Sequence, residues 1–216
     1  MKPKQEAPRL VRAAGAFVEE SPLGLTWTVR GPISRTSHAL VDAGRVWLID
    51  PTWEPSVFER VAAFGEPAAV IQLLDRHNRD CATIAARLGV PHLSLPASLP
   101  DTPFHVIPVV DIRFWREVAL WWPAHRTLVV AEAVGTARTY APGPAGAGVS
   151  IGLRLWPPRA LAACEPDHLL VGHGPALHKP QAAVALREAM ARSRRDLPRA
   201  LSELLKMLPG TIGDRG

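Results

Sequence analysis

The sequence has few cysteines and no long apolar run. Its two cysteines, Cys81 and Cys164, are too few for a disulfide framework, and they do not form the Cys-x-x-Cys pair of a structural zinc site. No apolar run reaches the roughly 18 residues that a membrane span needs, and the first residues lack the apolar core of a signal peptide. We therefore expect a cytoplasmic protein with no membrane partner.

Two further features exclude other classes of protein. The sequence has no Gly-x-x-x-x-Gly-Lys-Ser/Thr loop, which excludes nucleotide binding of the P-loop kind. With 47% hydrophobic residues in a chain of 216, it also has too much apolar surface for a disordered protein. The formal net charge is +5, a mild surplus that favours anionic partners and leaves both small molecules and nucleic acid open.

The pattern of apolar residues and turn signals predicts short strands first and helices last. A hairpin is expected where residues 38–42 and 45–50 flank the Ala43-Gly44 turn. Further strands are predicted at residues 25–30, 68–74, 90–95, 104–110, 117–122, 127–131 and 167–171, and helices at residues 56–64, 82–88, from 180 onward and at 198–208. Strands alternating with helices in this way favour an α/β layered architecture.

Three segments are expected along the chain. Residues 1–15 are predicted to be a flexible N-terminus, residues 16–180 to form the main domain, and residues 181–216 to form C-terminal helices that pack on it or extend it. A homodimer interface can be buried at two apolar segments. One is the leucine stripe at residues 201–208, and the other is the tryptophan-rich segment at residues 115–122.

The order of these segments resembles the metallo-β-lactamase fold over roughly residues 25–190. In that family an early hairpin ends in an Ile-Asp strand, here Ile49 and Asp50, and a late strand ends in Gly-His-Gly, here residues 172–174. The resemblance implies an α/β fold, an αββα sandwich with a helical C-terminal extension. It also implies a loop of pattern His-x-His-x-Asp-His that binds two zinc ions in a hydrolase.

The metal-binding loop of the family is altered in this chain. When the pattern is aligned on Asp80, Arg76 takes the first histidine position, Asn78 the second and Cys81 the last. His77 is one place away from the first ligand position. Because neighbouring residues generally point to different sides, His77 does not simply replace its neighbour as a ligand.

The other metal positions are altered as well. The next ligand loop has no histidine and carries Arg113 near the expected place. The strand that should end in the bridging aspartate ends in Glu132, whereas the terminal histidine is retained as His173. A guanidinium has no lone pair for a metal and carries a fixed positive charge, so it can take over the electrostatic role of the metals instead.

These substitutions predict a non-classical or inactive hydrolase homologue with no metal cofactor. Arg76, Asp80, Glu132 and His173 are expected to form a charged network in the old cleft, and the cleft is expected to bind an anionic small molecule. The predicted catalytic residues are Asp80 and His173. The predicted ligand-binding residues are Arg76, His77, Asn78, Arg113 and Glu132.

Two alternatives stay open at this point. The first is a hydrolase of esters, thioesters or phosphodiesters with one zinc, iron or manganese ion on Asp80, Cys81, Glu132 and His173. Two of these candidate ligands also have a simpler interpretation that involves no metal. Asp80 can cap the helix that begins at Cys81, and Cys81 can be a small buried apolar residue. The second alternative is a nucleic-acid-associated protein that uses its basic C-terminal helices.

Overall fold

The computed structural model describes residues 8–13, 15–29, 34–77, 79–141 and 146–207. The predicted ligand-binding residue Asn78 lies outside these ranges, as do the last residues of the predicted C-terminal helices. No described helix is both long enough and apolar enough to cross a membrane.

The first sheet has seven strands in the order of the sequence. Its strands are β1 (Arg9–Ala13), β2 (Ala16–Ser21), β3 (Gly24–Val29), β4 (Arg35–Asp42), β5 (Arg45–Ile49), β6 (Glu66–Gln72) and β7 (His92–Ser94). Neighbours are antiparallel up to β5, and β6 and β7 then add in parallel because α1 (Pro55–Val61) and α2 (Cys81–Leu88) make the crossovers. The predicted β4–β5 hairpin is confirmed, with positive φ angles at Ala43 and Gly44.

The second sheet has five strands in the order β14-β13-β10-β9-β8. The remaining strands are β8 (His105–Ile112), β9 (Trp115–Trp122), β10 (Thr127–Val130), β11 (Val134–Gly135), β12 (Gly148–Val149), β13 (His168–Val171) and β14 (Leu177–His178). The remaining helices are α3 (Arg159–Ala162), α4 (Gln181–Arg192) and α5 (Leu197–Met207). Strands β10 and β13 are parallel, so their carboxyl ends lie at the same edge.

Three apolar clusters define the layers. One lies between the sheets and includes Trp47 of β5 and Trp122 of β9. A second packs the outer face of the first sheet against α1 and α2, and a third packs the second sheet against α3 and α4. Helix–sheet–sheet–helix layering of this kind is an αββα sandwich, as the resemblance implied.

A buried histidine joins the two sheets. His38 on β4 accepts a hydrogen bond from the Thr26 hydroxyl at 2.9 Å and donates one to the Val171 carbonyl at 3.2 Å. Next to it, the Thr36 N–H donates to the Gly172 carbonyl at 2.9 Å. Burial lowers the pKa of His38 to about 3, so the ring is neutral and can make both bonds. These bonds bring the ends of β5 and β13 to a common edge.

Two segments differ from the sequence expectations. Residues 9–13 were expected to belong to a flexible tail, but they form β1 because they pair along their length with β2. Residues 135–150 are rich in glycine, alanine and proline, a composition typical of a loop, yet β11 and β12 pair at Val134–Val149 and Gly135–Gly148. Helix α5 matches the predicted second C-terminal helix over the part that the structure describes.

Candidate functional site at the strand ends

Asp50, the residue after β5, anchors the inner part of the site. Its Oδ2 lies 3.0 Å from Nδ1 of His77, and its Oδ1 accepts the Leu73 N–H at 3.0 Å. The backbone at Asp50 has φ 44, a left-handed conformation that aspartate tolerates better than most residues do. Burial raises the pKa of Asp50, but His77 and Arg79 outweigh it, so the pKa is lowered overall and the carboxylate is charged.

Two imidazole rings face each other beside Asp50. The ring centroids of His77 and His173 are 5.7 Å apart, and both side chains are buried. Nδ1 of His173 lies 2.9 Å from the Ser34 carbonyl, which makes Nδ1 the protonated nitrogen. Burial, followed by the charge of Arg79, lowers the pKa of His173 to about 4. His173 is therefore neutral at pH 7, with a lone pair on Nε2.

Arg79 lies against both rings and binds backbone carbonyls. Its Nη1 donates to the carbonyls of Thr36 and Asp50, and its Nη2 donates to the Gly172 carbonyl. The last two bonds are 3.0 Å long, and Nη2 is also 3.5 Å from Nε2 of His77. No described carboxylate forms an ion pair with Arg79, although Asp50 is near enough for the two groups to favour each other's charged form.

The guanidinium of Arg79 therefore joins the ends of strands from both sheets. Burial lowers its pKa from the usual value, although Asp50 opposes that shift. Its Nε is buried and has no hydrogen-bond partner among the described residues. We call Asp50, His77, Arg79 and His173 the inner cluster.

A second group of side chains lies toward the exposed side of the same loop. Arg76 pairs with Glu132 at 2.8 Å, and its guanidinium carbon lies 4.3 Å above the Trp115 ring. The Trp115 indole N–H donates to Glu117 Oε2 at 2.9 Å. We call Arg76, Trp115, Glu117 and Glu132 the outer cluster. Its cation, unlike Arg79, has a carboxylate partner.

Glu117 on β9 positions the chain that carries Glu132. Its Oε1 accepts the backbone N–H groups of Glu132 at 2.8 Å and Ala133 at 2.9 Å. These bonds fix the turn after β10, where the bridging carboxylate of the family is expected. Burial raises the pKa of Glu117 to about 7 against the opposing effect of its hydrogen bonds.

Tyr140 lies next to His173, and its ring stacks on the imidazole at a centroid distance of 5.6 Å. Burial raises the pKa of its phenol well above 10, and its hydroxyl bonds with Ser150. Ser150 is the centre of a Gly-x-Ser-x-Gly pattern at residues 148–152, which was not part of the sequence predictions. Its φ of −50 is ordinary, whereas a nucleophilic serine of that motif sits on a strained turn. We therefore assign Ser150 no nucleophilic role.

No hydrogen bond or ion pair among the described residues links the side chains of Asp80, Cys81 or Arg113 to these clusters, although the charges of Asp50 and Arg79 act on the thiol of Cys81. Asp80 Oδ2 accepts the Trp53 N–H at 2.7 Å, and its side chain makes no capping bond to α2. Asp80 therefore fixes the loop after β5 instead of pairing with an arginine. Cys81 is buried at the start of α2, and burial raises the pKa of its thiol to about 12. Arg113 is in the exposed β8–β9 turn, above the Phe114 ring at 5.7 Å.

The described side chains do not fit a metal centre. Across the described ranges, no three His, Cys, Asp or Glu residues form a group that could hold a metal ion. Of the four alternative ligands, Asp80 bonds to a backbone N–H, Glu132 pairs with Arg76, and His173 lies beside Arg79. Two guanidinium groups at these positions repel a divalent cation and offer it no lone pair.

Four residues of the two clusters are absent from the set predicted from the sequence, namely Asp50, Arg79, Trp115 and Glu117. Asp50 could be recognised as the last residue of the Ile-Asp strand, but that motif indicates where the residue lies and not what it does. Arg79 stands at a position of the family loop that accepts any residue, so the pattern drew no attention to it. Glu117 was counted only as the first residue of a strand.

Comparisons with known proteins agree with this architecture. No family model and no curated protein match the chain. Among solved structures, DIM-1 metallo-β-lactamase exposed to ceftazidime is 13% identical, with a TM-score of 0.52, over 89% of this chain and 99% of that one. TMB-1 is 16% identical, with a TM-score of 0.50, over 88% of this chain and 98% of that one.

A third solved structure has a higher TM-score. A metallo-β-lactamase from Erythrobacter litoralis, with β-mercaptoethanol in its active site, is 11% identical, with a TM-score of 0.55. The match covers 87% of this chain and 100% of that one. At these identities the likeness concerns the fold alone.

Proposed function

We propose that this chain, which has the metallo-β-lactamase fold, binds an anionic small molecule at the strand ends with Arg79 as its principal cation. In this proposal the inner cluster is a metal-free binding site, and the protein is a non-classical or inactive homologue of the hydrolases with this fold. Two features support this proposal, namely the charge of Arg79 and the hydrogen-bonding groups around it.

The charge of Arg79 is the observation that carries the proposal. Carbonyl dipoles at Thr36, Asp50 and Gly172 hold its guanidinium, but they carry no net charge to neutralise it. The carboxylate of Asp50 and the guanidinium of Arg79 favour each other's charged form, but they form no ion pair, and Asp50 is bonded to His77. A cation without a contacting carboxylate in a partly buried place favours an anion.

Two histidines lie beside this cation, and His173 supplies a neutral acceptor. His173 donates its Nδ1 proton to a backbone carbonyl, so its Nε2 is free to accept a proton from a ligand hydroxyl or from a water molecule. His77 is oriented through Nδ1 by Asp50 in the same way. An anion with a hydroxyl or a protonated acid group would therefore find both charge and an acceptor at this edge.

Calorimetric titration with inorganic phosphate, acetate and citrate tests the proposal. We expect at least one of these anions to bind the wild type, and binding to weaken at least about tenfold in Arg79→Gln because the charge that attracts the anion is removed. Arg87→Gln is the matched control, since Arg87 stacks on Trp53 and belongs to neither cluster. Arg79→Lys keeps the charge and should retain part of the affinity.

Equal affinities in Arg79→Gln and Arg87→Gln would contradict the assignment of Arg79. If Arg79→Gln unfolds, the Arg79→Lys titration decides the question: affinity unchanged from the wild type would show that charge alone is needed, whereas complete loss would show that the guanidinium geometry is needed. Failure of all three anions to bind the folded wild type would overturn the proposal.

Elemental mass spectrometry tests the metal-dependent alternative. Protein purified without a metal-binding tag is expected to contain far less than one metal ion per chain, even after incubation with zinc. Near-stoichiometric zinc, iron or manganese that is lost in His173→Ala would instead favour the hydrolase with one metal ion. Esters, thioesters and phosphodiesters would then be the substrates to test.

A further inference from the structure

Helix α5 carries its leucines outward. Leu201 is 45% exposed, Leu204 41% and Leu205 65%, although the helix packs on the protein through the fully buried Ala200. The leucines are three and four positions apart and therefore form one stripe along the helix. An amphipathic helix normally buries such a stripe, so the orientation of α5 leaves an apolar face without a described partner.

A second apolar segment lies beside the helix. Leu155 is 45% exposed and Trp156 is 75% exposed, and both follow the 3-10 turn Ile151–Leu153 that α5 contacts. Arg194 Nε, in the segment before α5, donates to the Leu155 carbonyl at 3.0 Å. We call Leu155, Trp156, Leu201, Leu204 and Leu205 the apolar face.

Basic residues outnumber acidic ones around the apolar face. Arg194, Arg195, Arg199 and Lys206 are exposed. The acidic residues of the same region, Asp196 and Glu203, are less exposed and pair with basic neighbours. Asp196 contacts Arg192 and Arg199, and Glu203 contacts Lys206 and Arg138.

We propose that the apolar face and its basic rim dock on an anionic lipid surface. Leucine and tryptophan side chains beside arginine and lysine are typical of helices that lie in the plane of a membrane interface. The sequence prediction of no membrane partner rested on the lack of a spanning run, and an interfacial helix needs no such run. The attraction between basic side chains and acidic headgroups supplies the complementary charge.

Two other occupants fit the face less well. A second copy of the chain would bring two basic rims together, and like charges oppose that contact. Nucleic acid would satisfy the basic rim, but phosphate contacts make no use of three exposed leucines. The apolar and the basic residues together favour lipid.

Co-sedimentation of the full chain with vesicles tests the proposal. We expect binding to vesicles of phosphatidylcholine mixed with phosphatidylglycerol, and much weaker binding to phosphatidylcholine alone or in high salt. Leu204→Ser combined with Leu205→Ser should weaken binding at least about tenfold, because less apolar area enters the interface. Arg195→Gln and Arg199→Gln should each weaken it about fivefold.

Single substitutions provide a matched control. Val184 on α4 is 45% exposed, the same fraction as Leu201, but it is not part of the apolar face. Leu201→Ser should weaken vesicle binding, whereas Val184→Ser should leave it unchanged; equal effects would overturn the proposal. Light scattering and nucleic-acid titration provide the remaining outcomes. A wild-type dimer that the double serine variant converts to monomer, or binding of single-stranded RNA without vesicle binding, would assign the face to another partner.

Discussion

Arg76 and Arg79 lie three residues apart on one loop, yet they are held in opposite ways. Arg76 of the outer cluster is bonded to a carboxylate and stacked on a tryptophan ring, with part of its side chain in solvent. Arg79 of the inner cluster is bonded to three backbone carbonyls and lies against two histidines. Arg76 contacts a carboxylate, whereas Arg79 contacts none among the described residues and is influenced by the charge of Asp50 only at a longer distance.

The difference shows why counting charged residues in a loop does not predict its electrostatics. A carboxylate partner cancels the field of a guanidinium at a distance, whereas carbonyl dipoles orient the group and leave its net charge in place. The two clusters therefore predict different responses to mutation, pH and salt. Four measurements test that comparison, and we give them in order of the expected effect.

Arg79→Met should have the largest effect on stability. The substitution removes one donor from each of the carbonyls of Thr36, Asp50 and Gly172, and it removes a cation near the buried Asp50 carboxylate. We expect the free energy of unfolding to fall by about 4 kcal/mol. Urea denaturation at pH 7 measures it. A loss no larger than that of Arg76→Met would break the distinction between the two clusters.

Glu117 should make stability depend on pH in the neutral range. Its pKa is raised from 4.5 to about 7 in the folded state, so the folded protein binds an extra proton between these values. Its contribution is fully present below about pH 4.5, and it is lost as pH rises through 7. By pH 8 the loss should reach about 3 kcal/mol.

Glu117→Gln should remove this pH dependence, and urea denaturation from pH 5 to pH 8 measures it. The amide cannot ionise, although it loses one acceptor toward Trp115 and should be less stable at pH 5. Glu188→Gln on the exposed side of α4 is the control and should keep the wild-type slope. A slope unchanged in Glu117→Gln would show that another group titrates.

Asp50→Asn tests how the inner cluster orients His77. Asparagine tolerates the left-handed backbone at this position and keeps an acceptor for Leu73, so the main change is at His77 Nδ1. We expect a loss of about 2 kcal/mol in unfolding free energy, because the charged partner of the imidazole is removed. Nitrogen NMR of His77 should show the proton moving from Nδ1 to Nε2. An unchanged tautomer would mean that Asp50 does not set it.

Arg76→Met should have the smallest effect. Its ion pair with Glu132 is partly exposed, so solvent and salt screen it, and methionine keeps part of the packing on Trp115. We expect a loss of at most about 1 kcal/mol, which shrinks further in high salt. Urea denaturation at two salt concentrations checks this. A larger, salt-independent loss would mean that the outer cluster is held as rigidly as the inner one.

The fold followed from the sequence because strands and turns leave local signals. The β4–β5 hairpin was readable from two apolar runs around Ala43-Gly44, and the strand ending at Val171 from the Gly-His-Gly turn after it. The edge strand β1 was missed because its pairing with β2 depends on tertiary contact and not on its own polar composition.

The site could be predicted only in part. The Arg76–Glu132 contact was foreseen as an alternative from the register of the family loop. The role of Arg79 was not, because a loop after a strand has no fixed period and the direction of each side chain depends on the backbone around it. For the same reason His77 faces His173 while Arg76, its neighbour, faces the outer cluster.

The bonds of Arg79 have a consequence for how the sandwich is assembled. Its guanidinium links β4, β5 and β13 through Thr36, Asp50 and Gly172. The cation at this joint is therefore a side chain of the protein itself. The joint can close as soon as the two sheets meet, with a cation that the chain itself supplies. With the metal-free site proposed above, chelators and changes in metal supply should leave the folding rate and the stability of the sheet junction unaltered.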